Sequence, residues 1–141
     1  MDRAKPHFII VDDDKDVRYF IRRVIQRRFI GVEIREASDG VEALRLFEHG
    51  GADLMVIDHN LPSMSGADLV RELRARNTTI PIVMVSSFPA VREEAMTAGA
   101  TSFVGKDEIN PALADQLANL LAVDGAREEA QPIGTITAPA E

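Results

Sequence analysis

Cysteine is absent from the 141-residue chain, which excludes disulfides and thiolate-ligated metal sites and fits a cytoplasmic protein. Long apolar runs are absent as well. None approaches the ~20 residues of a membrane-spanning helix. The opening Met1-Asp2-Arg3-Ala4-Lys5-Pro6 has no apolar stretch of the signal-peptide kind, so no membrane contact is expected. An excess of positive charge is also missing. Sixteen Lys and Arg stand against 23 Asp and Glu, a net charge of −7, so direct nucleic-acid binding is not the expectation. What remains is an ordinary globular composition, 45% apolar, in a chain long enough for one domain that buries roughly 70% of its unfolded surface.

The informative pattern is the position of the carboxylates. Phe8-Ile9-Ile10-Val11 runs directly into Asp12, Asp13 and Asp14, and Leu54-Met55-Val56-Ile57 into Asp58. A third run, Ile80 to Val85, ends at Ser86-Ser87, and Phe103-Val104 leads through Gly105 to Lys106. Short apolar runs bounded by turn signals have the pattern of strands buried on both faces. If they are parallel neighbours, their C-terminal ends share the sheet edge at which open α/β sheets build sites. A lone acid at a strand end is ordinarily a solvated turn residue. Three acids after two strands, with a hydroxyl and a lysine after two more, form a cluster suited to a divalent cation and a phosphoryl group. The acids repel one another, so at least one should titrate high unless a cation neutralises it. Mg²⁺ is the natural occupant, taking a few carboxylate oxygens beside water and phosphate.

Helical spacing connects these runs. Val17, Phe20, Ile21, Val24 and Ile25 predict a helix from Asp16 to about Arg28. Val32 to Arg35 has the pattern of a weak strand. Val41, Leu44 and Phe47 mark a second helix stopped at Gly50-Gly51, and Leu69, Val70 and Leu73 a third. Val91, Ala95 and Ala98 mark a short fourth helix closed by Gly99. A fifth runs from about Pro111 to Val123 with Leu113, Leu117, Leu120 and Leu121 inward. Five alternations predict a doubly wound α/β fold: a five-stranded parallel sheet with five helices and right-handed crossovers. The folded domain is expected over residues 5–124, with 125–141 a flexible tail interrupted by Gly125, Pro132, Gly134 and Pro139.

From Phe8 to Val123 the sequence resembles the receiver domains of bacterial two-component response regulators, of the chemotaxis response regulator kind. The motifs are Val11-Asp12-Asp13; Ile57-Asp58-His59-Asn60-Leu61-Pro62 with Met64 and Gly66; Ile80 to Ser86; and Ala98-Gly99-Ala100 with Phe103-Val104 and Lys106. Each is weak alone, while their order and spacing are specific. The resemblance implies the flavodoxin-like (βα)5 receiver fold and carries roles to matching positions. Asp58 matches the phosphoacceptor. Asp12, Asp13 and Asp58, with the Asn60 backbone carbonyl, match the Mg²⁺ ligands. Ser86 matches the hydroxyl that meets the phosphoryl oxygens, Lys106 its basic partner, and Phe103 the switch aromatic. Asn60 and Phe88 flank the site and are expected to modulate hydrolysis, Phe88, large and apolar two positions past Ser86, as a shield against water.

The resemblance implies a signalling domain, not an enzyme with a separate substrate. Its phosphodonor would be a sensor histidine kinase or a histidine phosphotransfer protein. A downstream target protein would recognise the switched surface, with the chain a monomer or weak dimer. Arg18, Arg22, Arg23, Arg27 and Arg28 on the first helix either steer an acidic partner or form ordinary ion pairs. Alternatives are a receiver segment of a larger transcriptional regulator, a phosphorylation-independent scaffold, and a Mg²⁺-dependent aspartyl phosphatase. The last usually has a second acid where this chain has Asn60.

Three departures stand out. Asp107, not proline, follows Lys106, which should remove a cis bond and leave the following loop less fixed. Phe103 replaces the commoner tyrosine. The 13 positions from Ser86 to Gly99 point to a truncated fourth helix.

Overall fold

In a computed structural model of the chain, residues 5–124 are described; the predicted tail, 125–141, lies outside them. Five parallel strands form one sheet: β1 (His7–Val11), β2 (Glu33–Ala37), β3 (Leu54–Asp58), β4 (Ile82–Ser86) and β5 (Ser102–Gly105), in the order β2-β1-β3-β4-β5. The helices are α1 (Lys15–Arg28), α2 (Gly40–Glu48), α3 (Gly66–Ala75), α4 (Arg92–Ala98) and α5 (Ala114–Asp124). Among the described residues no helix is long and apolar enough to cross a membrane.

The apolar runs are continuous because both sheet faces are covered, and the two-residue period of a strand sorts them. Ile9, Val11, Met55, Ile57 and Met84 pack with Ala43, Leu69, Val70, Leu73, Ala95 and Ala98 beneath α2, α3 and α4. Phe8, Ile10, Leu54, Val56, Val83 and Val85 pack with Ile21, Val24, Ile25, Leu113 and Leu117 beneath α1 and α5. Two predicted stripe residues turn outward instead. Phe20 and Val41 are exposed, and the inward positions beside them are filled by Ile21 and Ala43.

Helix starts follow local chemistry. Asp14 caps α1 by accepting the Asp16 N–H, Asp39 caps α2 through Glu42, and Ser65 with Asp68 forms a reciprocal capping box on α3. The fourth helix is the exception. It has seven residues, no side-chain cap, and only Ala95 and Ala98 buried. The shortness predicted from the Ser86–Gly99 spacing is present. Ahead of α5, helical turns cover Lys106–Glu108 and Ile109–Leu113 with a kink at Asn110, so that helical backbone runs on from Pro111, where the last helix was expected to begin. Asn110 is extended (φ −115°, ψ 114°), because a residue before proline is driven out of the α region. The bond after Lys106, where the lack of a proline was expected to remove a cis link, follows that expectation. Lys106–Asp107 is not cis, but Asn110–Pro111 is.

Among the described residues the outer strand β2 pairs only with β1. It begins and ends later than the apolar pattern suggested, since its residues Glu-Ile-Arg-Glu-Ala carry little strand signal of their own. Arg35 donates to the carbonyls of His49 (3.1 Å) and Gly51 (2.6 Å), while Glu36 accepts from Arg18 (2.8 Å) and Arg22 (2.7 Å).

Among the described residues no carboxylate contacts Arg74 at the end of α3. Its guanidinium donates to the carbonyls of Gly99 (3.0 Å), Thr78 (3.1 Å) and Ile80 (2.8 Å), and burial pushes its pKa down. It ties α3 to the turn that ends α4. Arg74→Leu, which leaves three carbonyls unpaired, should cost about 2–3 kcal/mol in denaturant unfolding, and Arg74→Lys should recover only part.

Candidate functional site

Strand register assembles the site. Val11 is level with Ile57, so Asp12 follows at the level of Asp58. Asp58 is level with Val85, one residue before Ser86. Ser86 is level with Gly105, and Lys106 comes next. The chain winds outward from β1 in both directions, so the crevice at the carboxyl ends of β1 and β3 is the topological switch point of the sheet. Asp12 and Asp58 flank it.

Asp12, Asp58 and Ser86 are the buried polar residues of the described part, with exposures of 1%, 3% and 2%. Asp13 is exposed, but its carboxylate joins those of Asp12 and Asp58 within 4.8 Å of one another. Lys106 reaches both buried acids, its Nζ 3.3 Å from Asp12 Oδ2 and 3.1 Å from Asp58 Oδ1. Asp12 Oδ1 accepts the Asp14 N–H at 2.8 Å. Asp12 Oδ2 and Asp58 Oδ2 are buried without a hydrogen-bond partner; Lys106 stands in ion-pair range of the former without aligned geometry.

The electrostatics follow from this crowding. Burial, then repulsion from Asp12, pushes the Asp58 carboxyl up to about 6 against the attraction of Lys106. Burial likewise raises Asp12, opposed by the Asp14 N–H and by Lys106. Burial alone would lower Lys106, but its bond and charge interaction with Asp58, reinforced by Asp12, carry it above its ordinary value. Two orphaned carboxylate oxygens and a third acid at the rim are the donor set that a hard divalent cation satisfies.

The predicted residues do not all meet. Asp12, Asp13, Asp58 and Lys106 form one cluster. Ser86 ends the neighbouring strand with its Oγ accepting the Phe88 N–H at 3.0 Å. Phe88 is 56% exposed at the rim. Phe103 lies on the α4 side of the sheet with the Arg92 guanidinium 5.9 Å from its ring centre. Asn60 is exposed, its side-chain oxygen 3.3 Å from His59 Nδ1. Gly66 N–H donates to the His59 carbonyl at 2.7 Å, packing the start of α3 against the loop after Asp58.

The sequence also left unseen a link from that loop to α4. His59 Nε2 lies 3.4 Å from Glu94 Oε1. Both residues are unremarkable in sequence, and only the fold brings them together.

An open parallel sheet carrying buried acids, a hydroxyl and a lysine on its carboxyl edge at the switch point defines the α/β domains that place their chemistry on strand ends. The chain belongs to the response regulator receiver domain family, whose sequence profile matches residues 8–118. The transcriptional regulatory protein PrrA of Mycobacterium leprae is 33% identical over 125 residues, covering 87% of this chain and 53% of PrrA. The chain thus spans about half the length of the curated relatives it matches. Among solved structures, the Thermotoga maritima response regulator TrrA, in complex with Mg²⁺-BeF, is 26% identical with a TM-score of 0.75, over 82% of this chain and 98% of that one. A LuxR-family response regulator from Aurantimonas sp. SI85-9A1 is 29% identical, also with a TM-score of 0.75, over 84% of this chain and 87% of that one. The flavodoxin-like fold is common to them.

Proposed function

We propose that this chain is a response regulator receiver domain that accepts one phosphoryl group on Asp58 and thereby switches a protein-interaction surface. The observation that carries this is the buried Asp12–Asp58 pair sharing Lys106, with one oxygen of each acid unpartnered. The ionised Asp58 attacks phosphorus in line. A P–O bond forms, the donor's P–N bond breaks, and its electron pair leaves on the imidazole of a histidine kinase or phosphotransfer protein. Lys106 stabilises charge on the phosphoryl oxygens. Mg²⁺, held by Asp12, Asp13, Asp58 and the Asn60 carbonyl, supplies the remaining charge neutralisation when bound. The Ser86 hydroxyl turns to donate to a phosphoryl oxygen, and Phe103 moves into the space it leaves. No separate substrate is turned over.

On the partner side, the five arginines of α1 divide. Arg18 and Arg22 are committed to Glu36, and Arg28 to Asp115. Arg23 and Arg27 line a groove with the exposed Tyr19 and Phe20 against Asn110. That leaves two basic residues, not five, to meet an acidic kinase or phosphotransfer helix. The net charge of −7 supports a domain that itself makes no contact with nucleic acid and stays a monomer or weak dimer. A second reading follows from coverage. PrrA is a transcriptional regulatory protein and only 53% of it is matched, which favours a receiver segment of such a regulator as the alternative.

Incubation with Mg²⁺ and acetyl phosphate should add one phosphoryl group by intact mass, with none added under chelator and none in Asp58→Asn. A gain that survives in Asp58→Asn would put the phosphate elsewhere and overturn the assignment. Phe88 should shield the acyl phosphate from water, so Phe88→Ala should shorten its lifetime roughly two- to fivefold, a modest barrier change of ~0.4–1 kcal/mol. Phosphate release after removal of the donor measures it, and an unchanged or longer lifetime removes Phe88 from that role.

A further inference from the structure

Helix α4 depends on its neighbours. Seven residues without a side-chain cap cannot sustain a helix alone, and its buried contribution is two alanines. Arg74 holds the turn at its end. Toward its start, Glu94 faces His59 Nε2 at 3.4 Å and Arg71 at 3.9 Å. Arg71 is already engaged with Asp68 at 2.8 Å, which leaves His59 as the partner peculiar to Glu94.

His59 is placed rigidly. It follows Asp58 directly, its N–H donates to the Val85 carbonyl at 3.0 Å, and its carbonyl accepts from Gly66 at 2.7 Å. Its Nε2 is shielded from water and makes no aligned hydrogen bond, so the approach of Glu94 is the interaction open to it there. Glu94 is half exposed and can exchange the imidazole for water at little cost. One end of the contact is therefore fixed to the peptide of Asp58, and the other is free to leave with α4.

We propose that His59 and Glu94 form a side-chain link that holds α4 against the loop after Asp58 in the unphosphorylated protein and opens when Asp58 carries a phosphoryl group. The link rests on the phosphoacceptor reading of Asp58 and names the route by which that site acts on α4. The driving connection is Ser86. Its Oγ accepts the Phe88 N–H, and Phe88 directly precedes the 3₁₀ turn Pro89–Val91 that runs into Arg92. A Ser86 side chain that swings toward the phosphoryl group draws this turn with it. Glu94, two residues beyond Arg92, then shifts relative to a His59 that does not follow. His59 and Glu94 are positioning residues: they touch no reacting atom.

The test is amide hydrogen exchange of α4 in the full chain, with and without beryllofluoride and Mg²⁺, binding being followed by fluorine NMR. In the resting protein, Glu94→Ala and His59→Ala should each speed α4 exchange roughly three- to tenfold. The double variant should do no more than either alone, and His59→Gln, which restores an N–H donor, should recover part of the protection. With beryllofluoride bound, the wild type should exchange as fast as the variants. If His59→Ala fails to fold, the exposed Glu94 and His59→Gln carry the test. Unchanged exchange in Glu94→Ala, additive effects, or a wild-type-to-variant ratio that beryllofluoride leaves intact would each overturn the link alone. Absence of bound beryllofluoride in the wild type would overturn the phosphoacceptor reading and the link with it.

Discussion

Asp58→Asn should melt higher than the wild type at pH 8 without metal while taking up no phosphoryl group. The fold raises the Asp58 carboxyl to about 6 from an ordinary 3.8, so ionising it is harder in the folded state than in the unfolded chain. A carboxyl shifted upward contributes its stability at low pH and loses it as pH rises through the folded value. The penalty is absent below about pH 4, grows between 4 and 6, and is complete above 6, where it is on the order of 1–3 kcal/mol. Asparagine removes it and still offers Lys106 an acceptor. Thermal melts should show a gain of about 5 °C or more at pH 8 that closes toward pH 4. Mg²⁺ should narrow the same gap at neutral pH, because it stabilises the protein that keeps all three acids. An Asp58→Asn melt equal to or below that of the wild type at pH 8 would mean that Lys106 outweighs burial and the repulsion from Asp12.

Gly66→Ala should damage stability and the site together. Gly66 opens α3 where the helix meets the loop after Asp58. A Cβ there would stand in hard contact with the Asp58 carbonyl oxygen and 2.8 Å from His59 Cα. Both neighbours are backbone, so no side chain can swing aside. Either α3 or the peptide that carries Asp58 must move. Overpacking of this kind costs roughly 1–3 kcal/mol, and displacement of Asp58 should slow phosphoryl uptake at least tenfold, since positional errors near 1 Å have large effects on such rates. Denaturant unfolding and uptake from acetyl phosphate measure the two losses. A variant that loses stability but keeps its uptake rate would show α3 yielding alone.

The acids and Lys106 were legible because each closely follows a short apolar run, Lys106 through Gly105. Parallel register then converts adjacency in sequence into adjacency in space, with no need to know any helix in detail. Fully buried strands declare themselves by composition. The charged β2 does not, and its bounds shifted by one residue at the start and two at the end. The start of the last helix was legible because Pro111 suits a first helical turn and its restriction on Asn110 breaks the helical backbone just before it. Side-chain pairings between elements left no local trace. Nothing near Arg18 or Arg22 announces that Glu36 will claim both, and the same holds for Arg74 among its carbonyls and for Glu94 beside His59. Such contacts depend on how two helices or a helix and a strand settle against each other, which a periodic pattern fixes only to within a side-chain length.

The outer strand β2 bears on how copies of this chain can associate. Its outer side is of the kind that invites another strand, but the Ile34 carbonyl there accepts from Arg22 at 3.4 Å. A symmetric antiparallel pairing of two copies centred on this strand would set Arg35 opposite Arg35 and bring Glu33 and Glu36 of both copies into the same short ribbon. Like charges directly across a ribbon repel, and each Arg35 would have to abandon the carbonyls of His49 and Gly51. Among the described residues, the sheet edge at β2 is thus guarded against another strand both by charge and by the Arg22 side chain on the Ile34 carbonyl.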